Sequence, residues 1–359
     1  MLANHREEWS ATMKIATIGL DLAKHAFQVH GIDAEGNVVV RRALRRKEVL
    51  LFFGKIDPCL VGIEACATAH HWAREIERFG HVVRLMPPAY VKPYVKRNKN
   101  DMTDAEAICE AVTRPTMRFV SVKSAEQQSV LMLHRTRALL VRQRTMLSNA
   151  VRAHLAEFGI VTTQGVQNVI GIIQKLMAQP ADEELIRERE LLPELVRIVL
   201  APVLSALLDL AVRIKVLENE IVKWHRANAT SRRLETIPGF GAMTASAVAA
   251  TVSDPSVFAS GREFAAWIGL TPRQNSSGGK ERLGGITKMG DAYIRTLLVV
   301  GAIAVIRYAR NDSSTKSAWV RRLLEKKPVR VVAVALANKM ARVAWALMMR
   351  KENYRAAQA

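Results

Sequence analysis

The sequence predicts an α/β domain with a mixed sheet, then a pair of long helices, then a basic and mostly helical C-terminal domain. Three observations carry this. Short β-rich runs come first and then alternate with helical stretches. Apolar residues recur at three- and four-residue steps through the middle. The last third reads as helices broken by glycine-rich turns.

Residues 1–13 read as a disordered extension. Lys14 to Asp21 (KIATIGLD) is rich in β-formers and ends on an acid, and Phe27 to Ile32 forms the next strand. The AEGN turn at Ala34 to Asn37 leads into a third strand opening at Val38 to Arg41. A helix is expected over Lys47 to Phe53. Leu60 to Glu64 (LVGIE) is a short apolar strand, again ending on an acid. Ala69 to Arg78 reads as a helix, and Val82 to Met86 as a strand closed by Pro87 and Pro88. A basic loop, Lys92 to Lys99, precedes a helix over Asp101 to Val112. These elements make one domain over residues 14–122.

Residues 123–230 form a helical region. Leu133, Leu140 and Leu147 repeat every seven residues, Val151, Leu155 and Phe158 extend the stripe, and Gly159 ends it. Leu207, Leu210, Ile214, Leu217, Ile221 and Trp224 form an a/d seam. Joined through an acidic segment around Glu183 to Glu190, the two helices make either a dimerising coiled coil or a bundle within one chain. Residues 231–359 form the helical C-terminal domain.

The 359 residues carry 53 Lys and Arg against 33 Asp and Glu, a net charge of +20, yet 49% are hydrophobic. The chain can therefore build a core, and its surplus implies a polyanionic partner, either nucleic acid or an anionic membrane. The longest apolar run, Leu297 to Ile306, is ten residues between Arg295 and Arg307. A bilayer span needs ~20, so nucleic acid is favoured and no membrane is expected. Cys59, Cys66 and Cys109 show no CxxC spacing, which argues against a disulfide scaffold or zinc finger and fits a reducing cytoplasm. The N-terminus lacks the apolar stretch of a signal peptide. Net charge is +4 over residues 1–120, +3 over 121–230 and +13 over 231–359, so most polyanion contact is expected in the last third.

Three constellations carry chemistry. Asp21 and Glu64 end two strands, and Asp101 and Asp104 share one helix face at i and i+3. Such an oxygen set suits Mg²⁺, with one or two ions positioned for phosphoryl transfer. Taken singly, each acid is as well explained as a turn, cap or first-turn residue. Lys92, Lys96, Arg97 and Lys99 lie just ahead of that helix and fit a phosphate backbone. Second, TIPGFGAMTASAV (Thr236 to Val248) resembles a helix-hairpin-helix, in which Gly239 and Gly241 let backbone N–H groups approach a phosphate. The plain alternative is a Pro-Gly turn between packed helices. Third, GLTPRQNSSGGKER (Gly269 to Arg282) sets Ser276 and Ser277 among Arg273, Lys280, Arg282, Lys288 and Arg295. Basic groups around a phosphate would favour attack by a serine. A flexible SSGG linker explains the same composition.

Together the motifs resemble the IS110 transposase family, and within it the IS1111 branch. The resemblance runs from about Lys14 to Arg350. GLDLAKHAFQVHGID, GIEACATAHHWAR and KNDMTDAEAICEA match the family's DEDD motif, placing its acids at Asp21, Glu64, Asp101 and Asp104. IPGFGAMTASAV and GLTPRQNSSGGKERLGGITKMGDAYIRTLL match its second transposase domain, whose serine nucleophile precedes a glycine. That serine falls on Ser277, with Ser276 the close alternative. The resemblance implies an RNase H/RuvC-like N-terminal domain that binds Mg²⁺, and a DNA recombinase working through a transient serine–DNA linkage. It further implies a non-coding guide (bridge) RNA and an oligomer of dimers joined partly through the central helices. Two other readings stand beside it. One is a RuvC-like junction endonuclease that uses water, and the other is a non-enzymatic RNA/DNA-binding scaffold.

Overall fold

A computed structural model describes residues 14–96, 101–178, 192–275, 280, 282–311 and 318–355, with the side chains of 101, 310 and 311 not among them. The chain divides into two compact units. One comprises Met1–Gln128 with Val252–Ala259, and the other Ser129–Thr251 with Ser260–Ala359.

The first unit holds a five-stranded sheet. Its strands are β1 (Thr17–Leu22), β2 (Ala26–Ile32), β3 (Val38–Arg45), β4 (Leu60–Glu64) and β5 (Val82–Met86), in the order β3-β2-β1-β4-β5. β1, β2 and β3 are antiparallel neighbours; β4 is parallel to β1 and to β5. The helices are α1 (Val49–Phe53), α2 (Ala69–Glu77), α3 (Pro88–Val91) and α4 (Asp101–Val112). Strand alternation sorts the side chains. Ile18, Leu20, Phe27 and Val29 point to one face and are buried with Trp72 and Ile76 of α2. The Phe27 and Trp72 rings meet edge-on with centroids 5.0 Å apart.

The opposite face is built for close approach. Gly19 and Gly62 lie side by side on β1 and β4. A Cβ at Gly19 would stand 2.1 Å from the Ala105 carbonyl oxygen and 2.4 Å from the Cys109 nitrogen, and one at Gly62 would stand 2.7 Å from Val112 Cβ. The backbone of α4 therefore rests directly on the sheet. Ala105, Ala107, Cys109 and Ala111, all buried, allow it. Burial pushes the Cys109 thiol up to about 11 and that of Cys59 to about 12.

The second unit is mostly helical. It contains α5 (Ala125–Ala156, largely), α6 (Val166–Met177), α7 (Glu194–Ala227), α8 (Ala229–Glu235), α9 (Ala242–Thr251), α10 (Gly261–Ile268), α11 (Ala292–Asn311), α12 (Ala318–Lys326) and α13 (Val329–Arg350). A hairpin of β6 (Pro272–Gln274) and β7 (Leu283–Ile286) interrupts them. Gly159, at φ 78°, ends α5 as expected: its N–H bonds the Ala156 carbonyl and the Ile160 N–H bonds that of Leu155. α6 lies ahead of the acidic segment around Glu183 to Glu190, where the sequence reading names no element. Its Val169, Ile170, Ile173 and Leu176 pack with Val151 and Leu155 of α5 and Leu200 and Leu207 of α7. The α7 seam is turned inward, with Leu207, Leu210, Ile214 and Ile221 buried. Arg137 of α5 donates to Glu218 of α7 at 2.6 Å.

By length and composition, α7, α11 and α13 are each able to cross a membrane. Counting uninterrupted apolar runs understates this, because scattered charges break long apolar helices into short runs. Half of the apolar window of α13 is buried in its unit, against 17% for α7. Helix length and composition thus do not carry the expectation that no membrane is involved.

A buried polar network ties α5 to α9 and α11. Ser246 Oγ donates to the Ala242 carbonyl at 2.6 Å. His134 Nε2–H therefore donates to Ser246 Oγ, and Nδ1 accepts from the Tyr293 hydroxyl, both at 3.0 Å. Burial, with Arg137 second, lowers His134 from 6.5 to about 4. A neutral imidazole satisfies both partners, whereas protonation breaks the pattern. The unfolded chain takes up this proton more readily, so stability is lost as pH falls from 6.5 toward 4. The loss at pH 5 is about 2 kcal/mol. Thermal melts at pH 7.5 and pH 5 measure it, and His134→Gln is expected to shrink the difference between them.

Candidate active site

The register of the two central strands places the acids. Leu20 lies opposite Ile63 in the parallel β1–β4 pair, so the next residues, Asp21 and Glu64, stand side by side where the strands end. Each is two residues beyond a glycine that faces α4 and so shares that face. α4 begins at Asp101, and Asp104 follows one turn later, half-buried. The Asp101 side chain lies outside the described residues. Three elements thus bring the predicted acids to one side of the sheet. Among the described residues no group of three His, Cys, Asp or Glu side chains is close enough to hold an ion. The adjacent pair still fits Mg²⁺ in kind, since that ion is held through one or two carboxylates plus substrate phosphates rather than by a protein cage.

The predicted basic residues separate into distinct roles. Lys92 is exposed at the turn after α3. Lys96 is paired with Glu106 of α4 at 2.6 Å. This bond raises the lysine pKa and holds the carboxyl below its ordinary value. Arg97 and Lys99 lie outside the described residues.

In the second unit, Ser276 and Ser277 also lie outside the described residues. The segments on either side of them pair: the Asn275 N–H donates to the Arg282 carbonyl at 2.9 Å, continuing the β6–β7 hairpin. Arg273, Lys280, Arg282 and Lys288 are exposed around this hairpin. Arg295 is committed elsewhere, donating at 2.8 Å to the Ile268 carbonyl at the end of α10.

The glycine turn at Ile237 to Gly241 joins α8 to α9, and its two glycines differ. A Cβ at Gly239 would meet the Gly301 carbonyl oxygen and Val305 at 2.8 Å, so Gly239 serves packing against α11. Nothing lies within 4 Å of the same position at Gly241, which stays open to a ligand.

One serine has a histidine and a carboxylate in line. His225 Nδ1 lies 2.7 Å from Ser231 Oγ, and its Nε2 2.9 Å from Glu235 Oε2. Ser231 is fully buried, so this trio braces the α7–α8 joint and offers no nucleophile.

Sequence reasoning missed a cavity of about 130 Å³ beside α4, lined by Val29, His30, Arg41, Met102, Thr103 and Glu106. The signal lay in QVHG, where His30 follows Gln28 on the same strand face. Only the register reveals that Gln28 pairs with Asp21.

A mixed α/β unit with acids at its strand ends, followed by a mostly helical basic region, is consistent with the class of DEDD transposases. A DEDD transposase profile of the IS110 type matches residues 18–160, and the profile of the IS116/IS110/IS902 transposase family matches residues 231–318. A protein of Pseudomonas aeruginosa named "Probable family 20 transposase" is 50% identical over 96% of this chain and 99% of its own length. The transposase for insertion sequence element IS1328 of Yersinia enterocolitica is 41% identical over 92% of this chain and 96% of its length. That for IS1111A of Coxiella burnetii is 40% identical over 95% and 92%. The chain belongs to the IS116/IS110/IS902 family of insertion-sequence transposases.

Proposed function

We propose that this transposase cuts and rejoins DNA with Asp21, Glu64, Asp101 and Asp104 as a Mg²⁺-binding set and Ser277 as nucleophile. The observation that carries the reading is the register of β1 on β4, in which Leu20 lies opposite Ile63 and the next residues, Asp21 and Glu64, come at neighbouring strand ends on the face that α4 covers. The strand order β3-β2-β1-β4-β5 supports an RNase H/RuvC-like fold for this unit. Mg²⁺ held there would neutralise charge on a phosphate. In the cutting step the serine hydroxyl oxygen forms a phosphoester and gives up its proton, the strand's own P–O bond breaks, and the oxygen of the freed strand end takes up a proton to become a hydroxyl. Because one phosphoester replaces another, rejoining needs no outside energy. Exposed Arg273, Lys280, Arg282 and Lys288 would hold the phosphate backbone at this step.

The reading extends to donor and target DNA, a non-coding guide RNA, and a homo-oligomer, in the cytoplasm and without a membrane. The exposed apolar side of α7, with Leu195, Val199, Val212 and Val216, supports assembly. The water-using endonuclease remains the second reading, since the carboxylates at the strand ends and on α4 are all that it needs.

A covalent-trapping experiment separates them. Wild-type protein incubated with element-end DNA and Mg²⁺ should yield a denaturant-resistant protein–DNA adduct. Ser277→Ala should abolish it and Ser276→Ala should not. Free nicked ends without an adduct in the wild type would establish the endonuclease.

A further inference from the structure

The cavity beside α4 has a composition the four acids do not account for. His30 is opposite Gly19 in the β1–β2 pair, and Arg41 is opposite His30 in the β2–β3 pair. Both therefore share the face of Asp21. His30 is the diagonal neighbour of Asp21, a separation of about 7–8 Å between strands. His30 is 5% exposed and lines the cavity. Among the described residues its ring makes no hydrogen bond, and Arg41 makes neither a hydrogen bond nor an ion pair. An imidazole on a cavity wall is stabilised by a hydrogen-bond partner, which a ligand in the cavity can supply. Glu106 is the one acid in the lining, and Lys96 offsets it at 2.6 Å. The remaining charge in the described lining is the exposed Arg41 guanidinium, a planar fork suited to a phosphate. Thr103 adds a hydroxyl, and about 130 Å³ admits a phosphate group.

We infer that this cavity is a phosphate subsite: it holds a phosphodiester of a nucleic-acid strand close to the one engaged at Asp21 and Glu64. Arg41 supplies the charge, His30 an N–H donor, and Thr103 a hydroxyl. Burial and the nearby Arg41 lower the pKa of His30, which keeps the ring neutral with one N–H to give. The inference rests on the reading of the carboxylates as the cutting site. DNA and RNA present the same group, so the source is an outcome of the test.

The test measures binding of the full-length protein to duplex DNA, single-stranded DNA and RNA of one sequence across a salt series. Arg41→Ala should weaken binding several-fold on the strand that occupies the subsite. It should also flatten the log–log salt slope by one phosphate contact, about 0.9 for duplex and 0.7 for single strands. Glu106→Gln removes the acid of the described lining and should tighten binding instead. Unchanged slopes for Arg41→Ala on all three probes, or weaker binding by Glu106→Gln, would overturn the subsite. A slope change confined to the RNA or to a DNA probe supports it and names the strand. Asp21→Asn keeps the two readings apart. If that variant still cuts while Arg41→Ala flattens the slope, the carboxylate reading fails and the subsite stands. If it stops cutting while the slope of Arg41→Ala is unchanged, the reverse holds.

Discussion

Asp21→Asn and Glu64→Gln are each expected to lower DNA strand cleavage on the order of 10³-fold, because a lost metal ligand removes several kcal/mol of transition-state stabilisation. Both substitutions keep shape and remove charge. Asp21 and Glu64 are half-buried at strand ends rather than in the core, so melting temperatures should stay near that of the wild type. DNA binding should persist, since the surplus of positive charge lies mainly in residues 231–359. A gel assay on a labelled element end, paired with a thermal melt, reads both. Cleavage at the wild-type rate in either variant would remove that acid from the chemistry. Asp104→Asn should follow the same pattern, which makes the helix acid part of the set rather than a first-turn charge.

Gly19→Ala is expected to be the most damaging single-methyl change in the first unit. Its new Cβ would meet backbone atoms of α4 at 2.1 and 2.4 Å, as well as Cys109 Cβ at 2.8 Å. A flexible side chain could swing away; a helix backbone cannot. α4 must lift from the sheet, at the upper end of the ~1–3 kcal/mol typical of overpacking or beyond it. For a unit of this size that lowers the melting point by about 10 °C. Because α4 carries Asp101 and Asp104, cleavage should fall as well. Gly285→Ala is the control, since nothing lies within 4 Å of its Cβ position, and it should change little. A Gly19→Ala protein as stable as the wild type would show that α4 does not rest on the strand as described.

Much of the first unit was legible because its punctuation is local. The bounds expected for β4, β5 and α4 coincide with those observed, Leu60–Glu64, Val82–Met86 and Asp101–Val112. Pro58, the Pro87-Pro88 pair and the polar run before Asp101 mark those ends chemically. The adjacency of Asp21 and Glu64 needed the register of β1 on β4, yet the order of motifs already suggested it. The hairpin of β6 and β7 was not legible. PRQ and LGGI are exposed and lack the apolar alternation by which a strand announces itself. Nor could sequence show the His134 network, whose partners lie 112 and 159 residues away. Gly239 and Gly241 looked equivalent in a PGFG turn. Only their neighbours distinguish the glycine that packs from the one that is open.

The central claim is that Asp21 and Glu64, with the acids of α4, hold a divalent cation beside DNA. Mn²⁺ binding followed by the loss of its free-ion paramagnetic resonance signal, with duplex element-end DNA present, addresses it most directly. Wild-type protein should bind Mn²⁺ in at least one saturable site, in competition with Mg²⁺, and the Asp21→Asn/Glu64→Gln double variant should lose that site while still binding DNA. Equal Mn²⁺ binding by the two proteins would contradict the account.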